Sequence, residues 1–459
     1  MERNTNHRAL EIRGDVCVGC SHCMKVCPTE ALRVSGGKAT LYSDWCIDCG
    51  ECFRICESRA IRVVDDDFNR VLDYKHSVLL VPTIFFAQFQ DKLSVKEVCE
   101  IIGDLGFSEI CAVEQSVDVL IDDINEYVEK ATKPVISSFC PAVTRLIQVR
   151  FPSLVDHLML LIPPLEATAQ LYIRKYGVSE SERNDLGIFY LTPCIAKIAA
   201  VKSPVGGYVS PINGVINMDY LYNKVYMAYK QRQKGSGNVN FSEAHSGKGV
   251  LWSTTGGEAA NIKGRTLAID GMSNVIEFLE KLENDEISDV DFLELRVCDE
   301  SCAGGILVQG NRFLITESMK KIASNSPFKN VLLGEYKKYC SSYTHIDKVE
   351  PRSMIKYDKD IVVALRKMEE AASLRDRLPG IDCGACGAPS CEALAGDIVR
   401  GDATINNCIF MQTLHEKEGS LNFTKSIEIM EHVWGKDRFM APKIEPIATI
   451  KELNRKIIK

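Results

Sequence analysis

The sequence predicts a layered α/β domain with much of its sheet parallel, preceded by a small α+β cysteine-rich domain and followed by a second small cysteine-rich domain. Three observations carry this reading. Apolar strand patterns alternate with amphipathic helix patterns from about residue 76 onward. Two similar runs of cysteine precede them, and a differently spaced set follows. The boundaries drawn from these shifts are 1–72, 73–355, 356–412 for a helix plus the last cysteine set, and 413–459 for a helical tail.

In the first domain, Cys17, Cys20, Cys23 and Cys27, with Pro28 after the last, recur at one constant offset as Cys46, Cys49, Cys52 and Cys56. A constant offset marks an internal duplication. The spacing resembles that of two-cluster bacterial ferredoxins, in which the fourth cysteine of each run crosses to the other cluster. Cys17, Cys20, Cys23 and Cys56 are therefore expected to hold one 4Fe–4S cluster, and Cys46, Cys49, Cys52 and Cys27 the other. Zinc is the competing metal, and eight cysteines at this spacing disfavour it. Glu57 stands where the first run has Pro28, and His22 reads as a surface residue rather than a ligand.

In the α/β region, SVLLVPTIFF at 77–86 reads as a buried strand, and 94–107 as a helix starting at Ser94 and stopping at Gly106. KPVISSF, DLGIFYLTP and FLELRV read as further strands, and 166–176 and 274–282 as helices. Residues 231–249 are polar and contain Gly, Ser and Asn, which predicts a surface loop. Cys99, Cys111 and Cys340 read as core residues.

Four other cysteines have unusual settings. Cys298 and Cys302 are spaced so that a single helical turn would put both thiols on one side. Gly304 and Gly305 follow, where backbone can approach a bulky group without Cβ interference. Cys140 precedes Pro141, a favoured first helical residue, so its thiolate would lie at a helix N-terminus. Free N–H groups and the helix dipole there favour an anionic cluster. Cys194 follows Pro193 at the carboxyl end of a strand, where α/β proteins build sites, and Lys197 points a cation at the same place. Thiolates suit iron–sulfur clusters, and four complete the ligation of one cubane. Cys140, Cys194, Cys298 and Cys302 are expected to hold the catalytic centre.

The stretches SSFCPAV, LTPCIAK and ELRVCDESCAGG resemble the three signature stretches of the iron-only (FeFe) hydrogenase catalytic domain. TTGGEAA at 254–260 and FPSLVDHL at 151–158 are similar to further stretches of that family, and the likeness spans roughly 76–353. The resemblance implies a cubane on the four cysteines and a diiron unit carrying CO, cyanide and a dithiolate with a bridgehead amine. It implies that Cys302 bridges the two and that Lys197 donates to a cyanide. Maturation enzymes are implied as partners, because the diiron unit does not self-assemble.

Several positions depart from the family's pattern. Phe139 replaces the cysteine that relays protons to the amine, Ile198 and Ala200 replace a lysine and a glutamate, and Arg296 replaces a methionine beside the diiron unit. Asp122, Asp123 and Glu126 lie in the region of the usual acidic proton route. These changes resemble a divergent, sensory branch of the family.

An amphipathic helix over 362–374 ends at Pro379-Gly380 and leads to Cys383, Cys386, Cys391 and Cys408. This set resembles the small 4Fe–4S domain of membrane electron-transfer complexes and corrinoid proteins, with zinc as the alternative. The remainder reads as helical around SIEIMEHVW, ending in a basic tail with Lys451, Arg455, Lys456 and Lys459.

Composition limits the function classes. A net charge of −7 argues against nucleic acid as the main partner. Pro82 interrupts the longest apolar run, which leaves no candidate membrane span. The 19 cysteines follow a polar N-terminus without an apolar leader, which points to metal rather than disulfides and to a reducing cytoplasm. The expected activity is heterolytic cleavage of hydrogen at a diiron-plus-cubane centre, at low rate, by a hydrogen or redox sensor. Its partners would be hydrogen, protons and a redox or signalling protein. The alternative is an electron-transfer or cluster-assembly protein that keeps the cubanes and lacks the diiron unit, a role that eukaryotic hydrogenase-like assembly proteins show the domain can take.

Overall fold

The computed structural model describes residues 8–89, 92–175, 179, 182–231, 239–242, 246–326, 345–352, 357–358 and 360–440. Two compact units emerge, and they cut across the cysteine-rich N-terminus. One comprises Met1–Glu11, Tyr42–Arg54 and Ile61–Met354, the other Ile12–Leu41, Ile55–Ala60 and Ile355–Lys459.

The larger unit is built on two parallel sheets. The first runs in the order Asn240–Ser242, Glu109–Ala112, His76–Val81, Leu186–Thr192, Gly214–Asn217. Every residue of Leu186–Thr192 is buried, as a central strand covered on both faces requires. The second sheet runs Thr266–Asp270, Phe292–Arg296, Val135–Ile136. The carboxyl ends of these strands lead directly into Pro82-Thr83, Glu114, Phe139-Cys140, Cys194 and Cys298, so the topology gathers the chemistry at strand ends.

Three elements differ from expectation. The strand expected over 77–86 stops at Val81, because Pro82 has no N–H for the ladder, and the chain turns into the short helix Ile84–Ala87. KPVISSF contributes only Val135–Ile136. The segment 231–249 is not simply a loop: Asn240–Ser242 adds an edge strand against Glu109–Ala112, with Phe241 packed 5.4 Å from Phe86, and the helix Gly247–Leu251 begins within it. An edge strand needs apolar contact on little of its surface, so its polar sequence hides it. Residues 232–238 and 243–245 of that segment, and Cys340, lie outside the described residues.

The helix from Ser94 forms as expected, over Val95–Asp104, with reciprocal hydrogen bonds between Ser94 and Glu97 closing its first turn. Glu166 falls in the helix Pro164–Lys175, and 274–282 within Met272–Glu283. Cys99 and Cys111 are buried.

The smaller unit contains the hairpin Leu32–Ser35 and Lys38–Leu41, closed by Gly36 and Gly37 at positive φ, as a two-residue hairpin turn demands. Its helices are Ile361–Arg377, Cys391–Arg400, Ile409–Lys417 and Phe423–Trp434. Arg33 of the hairpin makes a buried bidentate pair with Asp397, at 2.5 and 3.1 Å, which fixes the first cysteine run against the last set. Lys451, Arg455, Lys456 and Lys459 lie outside the described residues. Among the described residues no helix is long and apolar enough to cross a membrane.

Candidate metal centre

Cys140, Cys194, Cys298 and Cys302 line one cavity, together with Phe139, Lys197, Arg296 and Cys49 of the second cysteine run. Cys140 is the residue before the helix Pro141–Arg150, and Cys194 the residue before Ile195–Lys202, so two thiols stand at helix N-termini. Arg145 of the first helix forms a buried ion pair with Asp48 at 2.5 Å, which ties the second cysteine run to this site.

Cys298 and Cys302 are not on a helical turn. Glu300 and Ser301 take positive φ, held by the Glu300 N–H donating to Asp270 at 3.0 Å, and the chain then enters the 3-10 turn Ser301–Gly304. The glycines after them meet close backbone as well. A Cβ on Gly304 would meet the Asp299 carbonyl at 2.0 Å, and one on Gly305 the Pro193 carbonyl at 2.6 Å. Backbone crowding around the cysteine loops by itself requires glycine at both positions.

Burial away from bulk solvent pushes the Cys194 thiol up to about 12, with Cys302 and Cys140 adding to the rise and Lys197 opposing it. Burial also raises Cys298 well above the usual thiol range, with Cys194, Cys140 and Cys302 adding to the rise and Arg54 opposing it. Such thiols surrender their protons to a bound cationic metal rather than to water. Among the described residues no three of His, Cys, Asp or Glu converge on a position for a single metal ion. The four thiols instead surround a space, as ligands of a cubane would.

A second cavity adjoins the first and shares Phe139, Lys197 and Cys302 with it. Lys197 Nζ lies 3.9 Å from Cys302 Sγ and 4.3 Å from the centroid of the Phe139 ring. Among the described residues no carboxylate pairs with it. Burial works against its charge, but Cys302, Tyr190, Cys194 and Cys140 hold its pKa above the usual lysine range. A buried cation in ion-pair contact with no carboxylate among the described residues can take an anionic occupant, although Glu114 and Glu166 line the same cavity. The residues therefore fit both a cubane and an anionic group beside it.

Phe139 is buried between two cations, since the Arg296 guanidinium carbon also stands 4.3 Å from its ring centroid. Arg296 is 2% exposed and donates to Glu258 at 2.5 Å, with Glu294 at 3.8 Å. Ser137 Oγ donates to Glu258 as well. The N–H groups of Gly256, Glu258 and Ala259 donate to Glu294 at 2.8–3.0 Å. The glycine stretch thus cradles a buried carboxylate, and Arg296 is the counter-ion of a buried acidic pair.

The structure does not bring Asp122, Asp123 or Glu126 to the cavity beside Lys197. Asp122 lines a different cavity, and Glu126 is an exposed partner of Lys130. The acids lining the cavity are Glu114 and Glu166, which sequence reasoning missed. Burial pushes each up to about 7.

The accessory cysteines gather too. Burial raises Cys23 to about 12, with Cys20, Cys17 and Cys56 adding to it, so those four are neighbours in the smaller unit. In the last set, burial raises Cys386 to about 11, with Cys383 and Cys408 contributing. The Cys391 N–H donates to Asp382 at 2.6 Å.

Residues 75–220 match the family model for the iron only hydrogenase large subunit, C-terminal domain. That stretch of the α/β region is similar to the iron-only hydrogenase domain. Residues 16–61 match a 4Fe-4S dicluster domain, and 378–410 an Fe-S cluster domain, which favours iron over zinc for the last set. The hydrogenase match includes Cys140, Cys194 and Lys197 and ends before Cys298 and Cys302, whose place rests on the geometry. Solved structures similar to the chain include HydA(deltaEFG), described for stepwise FeFe-hydrogenase H-cluster assembly, at 15% identity and a TM-score of 0.44, covering 60% of this chain and 94% of that one. The FeFe-hydrogenase HydA1 from Chlamydomonas reinhardtii is similar at 15% identity and a TM-score of 0.43, covering 61% of this chain and 95% of that one. No curated protein matches. The matches thus place an iron-only hydrogenase-type stretch at 75–220, within the mixed α/β region, between two iron–sulfur-type stretches.

Proposed function

We propose that this protein binds hydrogen and splits it heterolytically at a cubane-plus-diiron centre, at low rate, as a hydrogen or redox sensor. The observation that carries the reading is Lys197, a cation turned to a cavity beside four thiols with no carboxylate paired to it among the described residues. Cys140, Cys194, Cys298 and Cys302 would hold the cubane, and Cys302, which lines both cavities, would face the diiron unit as well. That unit, when bound, supplies an open Lewis-acid position and an amine base. Lys197 would hold it by a charge-assisted hydrogen bond to an anionic group. Cys49, which lines the cubane cavity, would bring the second cysteine run beside it for electron exchange. The other cysteine sets would hold accessory clusters that exchange electrons with a redox or signalling protein.

Phe139 keeps the rate low. A phenyl ring between two cations excludes water and cannot relay a proton. Phe139→Cys restores a relay, and Phe139→Ala opens the same space without one; the cavity costs about 2–4 kcal/mol of stability in either. On protein loaded equally, the cysteine variant is expected to exchange hydrogen with solvent deuterons about tenfold faster than both wild type and the alanine variant. Equal rates in all three would place the limit elsewhere.

A further inference from the structure

The cavity beside Lys197 contains two carboxylates that this reading leaves without a task. Glu114 follows the strand Glu109–Ala112 and is 4% exposed. Its Oε1 accepts the Thr83 N–H at 2.7 Å, while its Oε2 is buried with no hydrogen-bond partner among the described residues. Glu166, 1% exposed, stands in the first turn of the helix Pro164–Lys175 and accepts the Ser210 hydroxyl at 2.9 Å. The two acids share a fixed wall: Thr168 Oγ1 donates to the Val113 carbonyl at 2.6 Å, and Ser116 Oγ to the Pro164 carbonyl at 2.9 Å. Ser210 is only half-buried, and its neighbour Val209 is exposed, so the second acid stands one hydrogen bond from the surface layer.

A buried carboxylate oxygen with no donor costs free energy, and such groups concentrate where protons are handled. We propose that Glu114 and Glu166 are the acid–base groups that carry protons between this cavity and the surface at Ser210, in the absence of a thiol at position 139. The inference rests on the diiron reading. A proton reaching the cavity wall forms an O–H bond at Glu114 Oε2. Its transfer, directly or through one water, breaks that bond and protonates Glu166. Glu166 then donates to Ser210 Oγ as the serine gives its own proton to solvent. No electron moves in these steps, and each carboxylate ends as it began.

The groups facing the pair support it. Burial raises both acids to about 7; the Thr83 N–H pulls Glu114 down most, followed by its own N–H, the Thr83 side chain and Lys197, and Ser210 pulls Glu166 down. Tyr208, beside Glu166, and Tyr190, beside Lys197, are pushed above their usual range by burial and stay neutral. Each carboxylate can therefore both take and give a proton near neutral pH.

The test uses the full chain with its clusters, as wild type, Glu114→Gln, Glu166→Gln and Glu114→Asp. Two signals are read: the protonated-carboxyl stretch in infrared difference spectra across pH, and deuteron exchange into hydrogen. The expected result is a carboxyl band titrating near neutral pH that each Gln variant loses in part. Exchange should slow at least about tenfold in both Gln variants, with CO and cyanide bands intact, and partly recover in Glu114→Asp. Wild-type exchange in both Gln variants, or no carboxyl band titrating near neutral pH, would overturn the relay. Wild-type protein lacking CO and cyanide bands would overturn the diiron reading, and the relay with it, whatever the carboxyl band does.

Discussion

Lys197→Ala is expected to strip the diiron unit from the protein while leaving every cubane in place. The ammonium stands 3.9 Å from Cys302 Sγ, in the first turn of a helix whose preceding residue is Cys194, so it meets both cavities from one fixed point. A charge-assisted hydrogen bond in a site shielded from water contributes about 1.5–3 kcal/mol, or roughly one to two decades of affinity. Iron content should fall by about two per chain, and the CO and cyanide infrared bands should weaken together. Lys197→Arg keeps the charge but replaces a compact ammonium with a broad fork, and should recover only part of the binding. Unchanged cyanide bands in Lys197→Ala would show that the lysine serves only the packing around Phe139.

The second large effect concerns Arg296. Restoring the family's methionine there looks like a simple reversion in sequence, and the structure predicts that it fails. Arg296 is the only charge partner that Glu258 and Glu294 show among the described residues, and all three are buried. Glu294 keeps three backbone donors without it, but Glu258 keeps only the Ser137 hydroxyl. Removing one member of a buried pair costs about 3–5 kcal/mol, so Arg296→Met should lower the unfolding midpoint sharply. Adding Glu258→Gln should restore most of the loss, because the orphaned charge is then gone. The sign with pH follows from Glu258, whose folded pKa burial already raises against the pull of Arg296. Without the arginine it rises further, so the variant's penalty is largest above that pKa and shrinks as pH falls and Glu258 protonates. A single variant as stable as wild type at neutral pH would contradict this account of Arg296.

How much of this was legible in the sequence depends on the range of the interaction. The cluster cysteines were legible because ligation is written in local spacing, and helix starts at Ser94 and Pro141 because capping chemistry is local too. The turn between Cys298 and Cys302 was not, since Asp270 from a neighbouring strand sets the backbone of Glu300. Glu294 and Arg296 had left a usable sign: two opposite charges on one face of an otherwise apolar strand, which only a buried partner accommodates. Glu114 and Glu166 had left none. An acid in the first turn of a helix reads as a favourable dipole contact, and only the packing of Val113 and Pro164 against Thr168 and Ser116 shows that these two are buried at one cavity. Asp122 and Glu126 were chosen by position in the family's pattern, and that pattern does not carry over to this cavity.

The central claim is that this chain carries a diiron unit beside its cubanes, and the most direct test is an infrared spectrum of protein matured in its own host, paired with metal analysis. The account predicts CO and cyanide stretching bands, about eighteen irons per chain from four cubanes and one diiron unit, and no zinc. About sixteen irons without those bands would contradict it and leave an electron-transfer or cluster-assembly protein in its place.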